Sequence, residues 1–166
     1  TANLKAGWGY KEKEEQAIVS RYISQSVAKV IKQPAVVKGP VTTTAGNLLH
    51  LLTTFTYNNV PAERWPQMIK ALHPTPAVAG LPQRTAIQFI TQTEPNPRSF
   101  YSGFLGPVNL DGRINLFVNL RCMQVFKNKL AIYVGCGITA DSEPAKEWNE
   151  TGIKSQTLLN VIAGIK

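Results

Sequence analysis

Three apolar runs in the second half of the chain, Phe100–Val108, Ile114–Val125 and Leu130–Ile138, are separated by Asp111-Gly112-Arg113 and Lys127-Asn128-Lys129. Short polar turns of this kind join antiparallel strands. The spacing therefore predicts a meander, and any fold for this chain must build antiparallel sheet from it.

The remaining segments read mainly as cover for such strands. Between Lys11 and Gln33, apolar residues recur at Ile18, Tyr22, Ile23, Val27, Val30 and Ile31, near the helical period. Glu12, Glu14 and Glu15 stand in the first turns, where the helix dipole favours negative charge. Pro34 ends this helix, and the strand-forming stretches Ala35–Val37 and Val41–Thr44 follow. Leu48–Phe55 reads as a strand, because its flanks are rich in threonine and Tyr57-Asn58-Asn59 forms a turn after it. Pro61–Leu72 suits a short helix, whereas Leu72–Gly80 holds too many prolines for regular structure and reads as a shaped loop. Ala86, Phe89 and Ile90 mark another helix, stopped by Pro95 and Pro97. The chain closes with a helix over Glu143–Ile165, in which Trp148, Ile153, Leu158 and Ile162 can share one side and Pro144 takes an early position. The fold class expected is α+β, with helices covering mainly antiparallel strands.

Composition narrows the function classes. The 166 residues are 43% hydrophobic and 17% charged, a profile that supports a packed core rather than disorder. A net charge of +8 attracts anions. Lys and Arg are dispersed, with no basic block and no aromatic–basic interleaving, so no nucleic-acid partner is expected. Cys122 and Cys136 lack CxxC spacing, which points away from a disulfide framework or zinc site and toward a cytoplasmic setting. Residues 1–15 lack an apolar signal core, and no run approaches the ~18 apolar residues of a membrane span, so no membrane association is expected.

Several residue groups could carry chemistry. Glu147, Glu150 and Lys154 lie at offsets of three and four, on one helical face. Alone, such a set is a surface ion pair worth about 0.3–0.5 kcal/mol. Carboxylates from this helix and the first could hold a magnesium ion, which takes one or two carboxylates together with waters and substrate oxygens. Gly135-Cys136-Gly137 follows an apolar strand, so its backbone amides could approach an anion, or it could be a simple bulge or turn. Arg121 sits in a strand run. On a buried face it needs an anionic partner, and on an outer face it needs none. His50, in an apolar run, fits a hydrogen-bonded core histidine as well as a catalytic group.

Taken in order, these segments resemble the C-terminal region of chorismate-binding enzymes. Lys11-Glu12-Lys13-Glu14-Glu15-Gln16 resembles the family's magnesium-ligand helix, and Leu49-His50-Leu51-Leu52-Thr53 its histidine strand. Arg98-Ser99-Phe100-Tyr101-Ser102-Gly103 resembles its Arg-x-x-aromatic-x-Gly segment. Leu120-Arg121-Cys122, Gly135-Cys136-Gly137-Ile138, Asp141-Ser142-Glu143-Pro144 and Glu147-Trp148-Asn149-Glu150-Thr151-Gly152-Ile153-Lys154 follow in family order. Leu72–Gly80 is similar to the isochorismate and salicylate synthases, where anthranilate-type enzymes usually carry a sequence ending in Gly-Ala-Pro-Lys. This favours water over ammonia as nucleophile.

The resemblance implies a layered α/β/β/α fold with mainly antiparallel sheets, residues 1–166 being the C-terminal portion of its catalytic domain. It implies that Glu15 and Glu150 ligate Mg2+, that Arg121, the amides of Gly135, Cys136 and Gly137, and Lys154 hold the anionic parts of chorismate, that His50 positions the ring and that Tyr101 forms a wall. The activity implied is isochorismate synthase, an isomerase of menaquinone or siderophore biosynthesis that adds water at one ring carbon while hydroxyl leaves another. A salicylate synthase is the alternative enzyme, and a non-catalytic anion-binding module the alternative of a different class. The family's lysine base and glutamate acid lie ahead of the first helix, so these residues alone are expected to be inactive, and the edges left without that portion are expected to self-associate. Gln16 stands where the family commonly has histidine, and Cys136 where alanine is common.

Overall fold

The computed structural model describes residues 7–45 and 48–164, in two compact units, Thr1–Leu81 and Pro82–Lys166. The first six residues of the expected signal-free N-terminus and Ile165 of the expected last helix lie outside the described residues.

In the first unit, α1 (Tyr10–Ala28) is the helix that the apolar spacing predicts, but it ends in a turn at Lys29 and Val30 rather than running on to Pro34. Its last turn carries the nearly inaccessible Val27, with Ile31 buried just beyond, and the helix packs on α2 (Trp65–Leu72) and α3 (Pro76–Ala79). The Tyr22 hydroxyl donates to the Ala71 carbonyl at 3.1 Å. The stretch Leu72–Gly80 is not wholly irregular: α3 gives it one helical turn, with Pro76 in the first position, where a missing N–H is harmless, and Ala79 buried.

The strands β1 (Val36–Ala45) and β2 (Leu48–Thr56) form an antiparallel pair. The two short stretches expected before Leu48 are one strand, because the register shift between Lys38 and Val41 accommodates Gly39 and Pro40 as a bulge. Accessibility alternates along β2, with residues 51, 53 and 55 half-buried and 52, 54 and 56 exposed, as the pleat requires when one face is covered. The covered face lies against α1: Gln16 Nε2 donates to Thr53 Oγ1 at 2.9 Å. A cleft of about 470 Å³ lies between α1 and this face. His50 pairs opposite Thr43 and by the same alternation stands on the other face, with Leu52 and Thr54.

The second unit contains α4 (Gln83–Thr93), then β3 (Phe104–Leu105), β4 (Val108–Leu110), β5 (Arg113–Ile114), β6 (Phe117–Val118), β7 (Cys122–Val125) and β8 (Leu130–Tyr133), and ends in α5 (Pro144–Ala163). Both predicted turns are present. Asp111 and Gly112 have φ of 52° and 70°, the paired left-handed conformation of a two-residue hairpin turn, and Leu110 pairs with Arg113 across it. Residues 126–129 likewise join β7 to β8. The continuous three-strand meander does not form. The pairs are β4 with β5, β3 with β6, and β7 with β8, and the run Ile114–Val125 is divided among three short strands.

One break in that run is Arg121, whose φ of 48° is left-handed, so it sits in a bend before β7 rather than inside a strand. A left-handed residue turns the chain out of the ladder. The face of α5 also departs from the expected one. Trp148 and Ile153 are 80% and 60% exposed, while Glu147 is 5% exposed. The helix turns Glu147, Thr151, Lys154, Leu158 and Ile162 inward, a row at helical spacing, and packs on β8. Among the described residues the buried hydrophobics are Val27, Ile31 and Ala79. No described helix is long and apolar enough to cross a membrane.

Candidate active site

In the second unit the inward row of α5 meets the segment that follows β8. Lys154 Nζ lies 2.6 Å from Glu150 Oε1 and donates to the Gly135 carbonyl at 3.0 Å. The ammonium is thus fixed by two oxygens at the start of Gly135-Cys136-Gly137, with its side chain 23% exposed. This is more than the surface ion pair that the Glu150 to Lys154 spacing suggests in isolation, since one partner is a loop carbonyl 19 residues away.

Tyr101 closes the other side of Gly135. A Cβ at Gly135 would lie 2.6 Å from Tyr101 Oη, a separation no side chain tolerates, so glycine is what lets the phenol approach the backbone here. The ring stacks on Tyr133 with centroids 6.0 Å apart. Burial raises the phenol's pKa, with the Arg98 charge opposing that shift, so Tyr101 is a neutral hydrogen-bonding group at neutral pH.

Cys136 is half-buried and its thiol donates to the Glu147 carbonyl at 3.6 Å. Burial, first, and Glu147, second, push the thiol pKa up. Cys136 is therefore a neutral thiol that contributes backbone to this loop rather than a nucleophile. In a Cys122→Ala background, iodoacetamide alkylation of Cys136 is expected to be slow at neutral pH, with a rate midpoint above the ordinary thiol value of about 8.5. A midpoint at or below that value would contradict the buried, hydrogen-bonded thiol.

Arg121 is half-buried at the start of β7, and among the described residues it has no ion pair or hydrogen bond. A half-buried guanidinium of this kind is suited to receive an anion. In the first unit, Glu15 is half-buried on α1 with Lys11 Nζ at 4.0 Å, and His50 is half-buried on β2. The candidate metal ligands Glu15 and Glu150 belong to different units. Among the described residues no group of three or more His, Cys, Asp or Glu side chains is placed to hold a metal.

Glu147, which the sequence places on one helical face with Glu150 and Lys154, is a buried carboxylate one turn before Glu150. One feature was missed from the sequence. Arg98 and Glu94 form a bidentate pair beside Tyr101, with Nε–Oε2 at 2.8 Å and Nη2–Oε1 at 2.6 Å. Nothing distinguishes that pair in sequence from an ordinary i,i+4 surface bridge.

Comparison with known proteins gives this geometry a family. The chain is similar to isochorismate synthase EntC of Escherichia coli (strain K12), 32% identical over 151 residues that cover 91% of this chain and 39% of EntC. It is also similar to anthranilate synthase component 1 of Bacillus pumilus, 30% identical over 92% of this chain and 30% of that protein. Among solved structures, that of DhbC from Bacillus anthracis, described as a 2,3-dihydroxybenzoate-specific isochorismate synthase, matches with a TM-score of 0.78 and 31% identity over 93% of this chain and 42% of that one. The chain thus spans about two fifths of the length of EntC. The sequence profile described as chorismate binding enzyme matches residues 9–163, and the chain belongs to that family.

Proposed function

We propose that the protein carrying these residues is an isochorismate synthase, and that this chain forms the anion-binding and metal-binding portion of its catalytic domain. The observation that carries this reading is the Lys154 ammonium held between Glu150 and the Gly135 carbonyl, beside a glycine loop walled by Tyr101. Chorismate is a dicarboxylate, and fixed cations with backbone N–H donors bind such charges more strongly than neutral donors do. Lys154, Arg121 and the amides of Gly135, Cys136 and Gly137 fill that role, Tyr101 bounds the ring and His50 orients it. The similarity to EntC and DhbC, together with the Leu72–Gly80 segment, favours water as the nucleophile.

Glu15 and Glu150 each offer hard carboxylate oxygens of the kind magnesium takes, and the buried carboxylate of Glu147 lies one turn from Glu150. When bound, the ion would neutralise a substrate carboxylate. Glu150 would help hold the ion, and the Lys154 ammonium beside it would hold an anionic part of the substrate. On this reading the lysine base and glutamate acid, each contributing about 10²–10⁴-fold, are supplied by family segments ahead of α1. The 166 residues alone then bind without turnover. Their outward apolar side chains, Phe100 and Trp148 among them, promote self-association.

The deciding experiment is chorismate turnover by the complete protein with and without magnesium, with products separated by chromatography. Magnesium-dependent isochorismate is the expected result. Salicylate and pyruvate would select a salicylate synthase, and the absence of any chorismate-derived product would overturn the proposal.

A further inference from the structure

We propose that Arg98, locked by Glu94, is a positioning residue that holds Tyr101 against Gly135 and thereby sets the wall of the anion-binding loop. The inference rests on the reading of that loop as a substrate site. Both carboxylate oxygens of Glu94 accept from Arg98, and Arg98 Nη1 donates to Ser102 Oγ at 3.3 Å. The guanidinium carbon lies 5.7 Å from the centre of the Tyr101 ring, within the range of a cation–π contact. The Tyr101 amide donates to the Arg98 carbonyl at 2.8 Å, so arginine and tyrosine are coupled through both backbone and side chain.

The backbone explains why such a lock is needed. Ser99 and Ser102 have φ of 52° and 61°, left-handed conformations that serine adopts at a cost and keeps only when its surroundings determine them. Asn119 anchors one side of this bend: its amide and carbonyl pair with the Gly103 carbonyl and the Ser102 amide, each at 2.8 Å, and its side chain donates to the Phe100 carbonyl at 2.9 Å. Arg98 and Glu94 anchor the other side. The planar fork matters, because lysine could keep the charge near the ring but could not make both bonds to Glu94. From Glu94 through Arg98 and Tyr101 to Gly135, and on to Lys154, each link is a contact given above.

The test uses the complete protein labelled with 3-fluorotyrosine, the Tyr101 resonance being assigned by Tyr101→Phe. In Arg98→Met and Glu94→Gln that resonance is expected to shift and broaden, with a smaller change in Arg98→Lys, while Tyr22 and Tyr57 stay in place. In the same variants KM for chorismate is expected to rise about tenfold with kcat within twofold, since misplacing a binding wall weakens ground state and transition state alike. An unmoved Tyr101 resonance in folded Arg98→Met overturns the proposal, as does a moved resonance with unchanged KM. Should Arg98→Met fail to fold, Glu94→Gln, which conserves shape, carries both readouts. If the protein does not consume chorismate at all, the functional reading fails, and the fluorine resonance alone decides whether Arg98 positions Tyr101.

Discussion

Lys154→Met is expected to lower kcat/KM for chorismate about 10²–10³-fold, the loss typical when one fixed electrostatic donor is removed from an active site. Methionine keeps most of the apolar stem and removes the charge, so packing on α5 changes little. The stability term is small by comparison. Glu150 is 44% exposed and Lys154 23%, so the pair is screened by solvent and contributes on the order of 0–1 kcal/mol. A rate loss of this size corresponds to about 2.7–4 kcal/mol and therefore cannot come from unfolding of a minor fraction. Steady-state kinetics beside a urea midpoint separates the two. A large loss of kcat/KM with a nearly unmoved midpoint supports the assigned role. A loss that merely follows the midpoint would return Lys154 to the status of a structural ion pair. Lys154→Arg retains charge but not the compact ammonium seated between Glu150 Oε1 and the Gly135 carbonyl, and it is expected to recover only part of the rate.

The sequence was most legible where one local rule acted alone. The apolar spacing from Ile18 to Ile31 located α1, and Asp111-Gly112 located a hairpin turn whose two left-handed residues are the ones that turn type demands. It was least legible where tertiary context overrode pattern. Apolar residues from Ile114 to Val125 read as one strand because nothing in an arginine announces the left-handed backbone at Arg121. On α5, the apolar positions Trp148 and Ile153 looked like the packed side, yet the helix turns Glu147 and Lys154 toward the segment after β8. A functional site is where this inversion is expected, because buried charge costs stability and is retained for what it binds. The Arg98–Gly103 segment was legible by resemblance, but the pairing of Arg98 with Glu94 has the spacing of a solvent-exposed bridge, and the place of the guanidinium against the Tyr101 ring appears only once the chain is folded.

Gly135→Ala is expected to lower kcat/KM by about 10²-fold, a loss on the scale that a displacement of about 1 Å at a binding group produces, and Tyr101→Phe is expected to restore part of it. The added methyl group would lie 2.6 Å from Tyr101 Oη but 3.7 Å from the ring carbon that bears it. The first separation is a collision, and the second is ordinary van der Waals contact. Tyr101 has little freedom to retreat, being stacked on Tyr133 and flanked by Arg98. The displacement therefore falls on the Gly135 backbone, moving the carbonyl that Lys154 uses and the amides that follow it. Deleting the hydroxyl removes the obstacle while keeping the ring. In a double-mutant cycle the two changes should thus be strongly non-additive, the double variant being about tenfold more active than Gly135→Ala alone. If the two losses simply multiply, the phenol does not abut Gly135 in the working enzyme, and Tyr101 ceases to be a wall of the site.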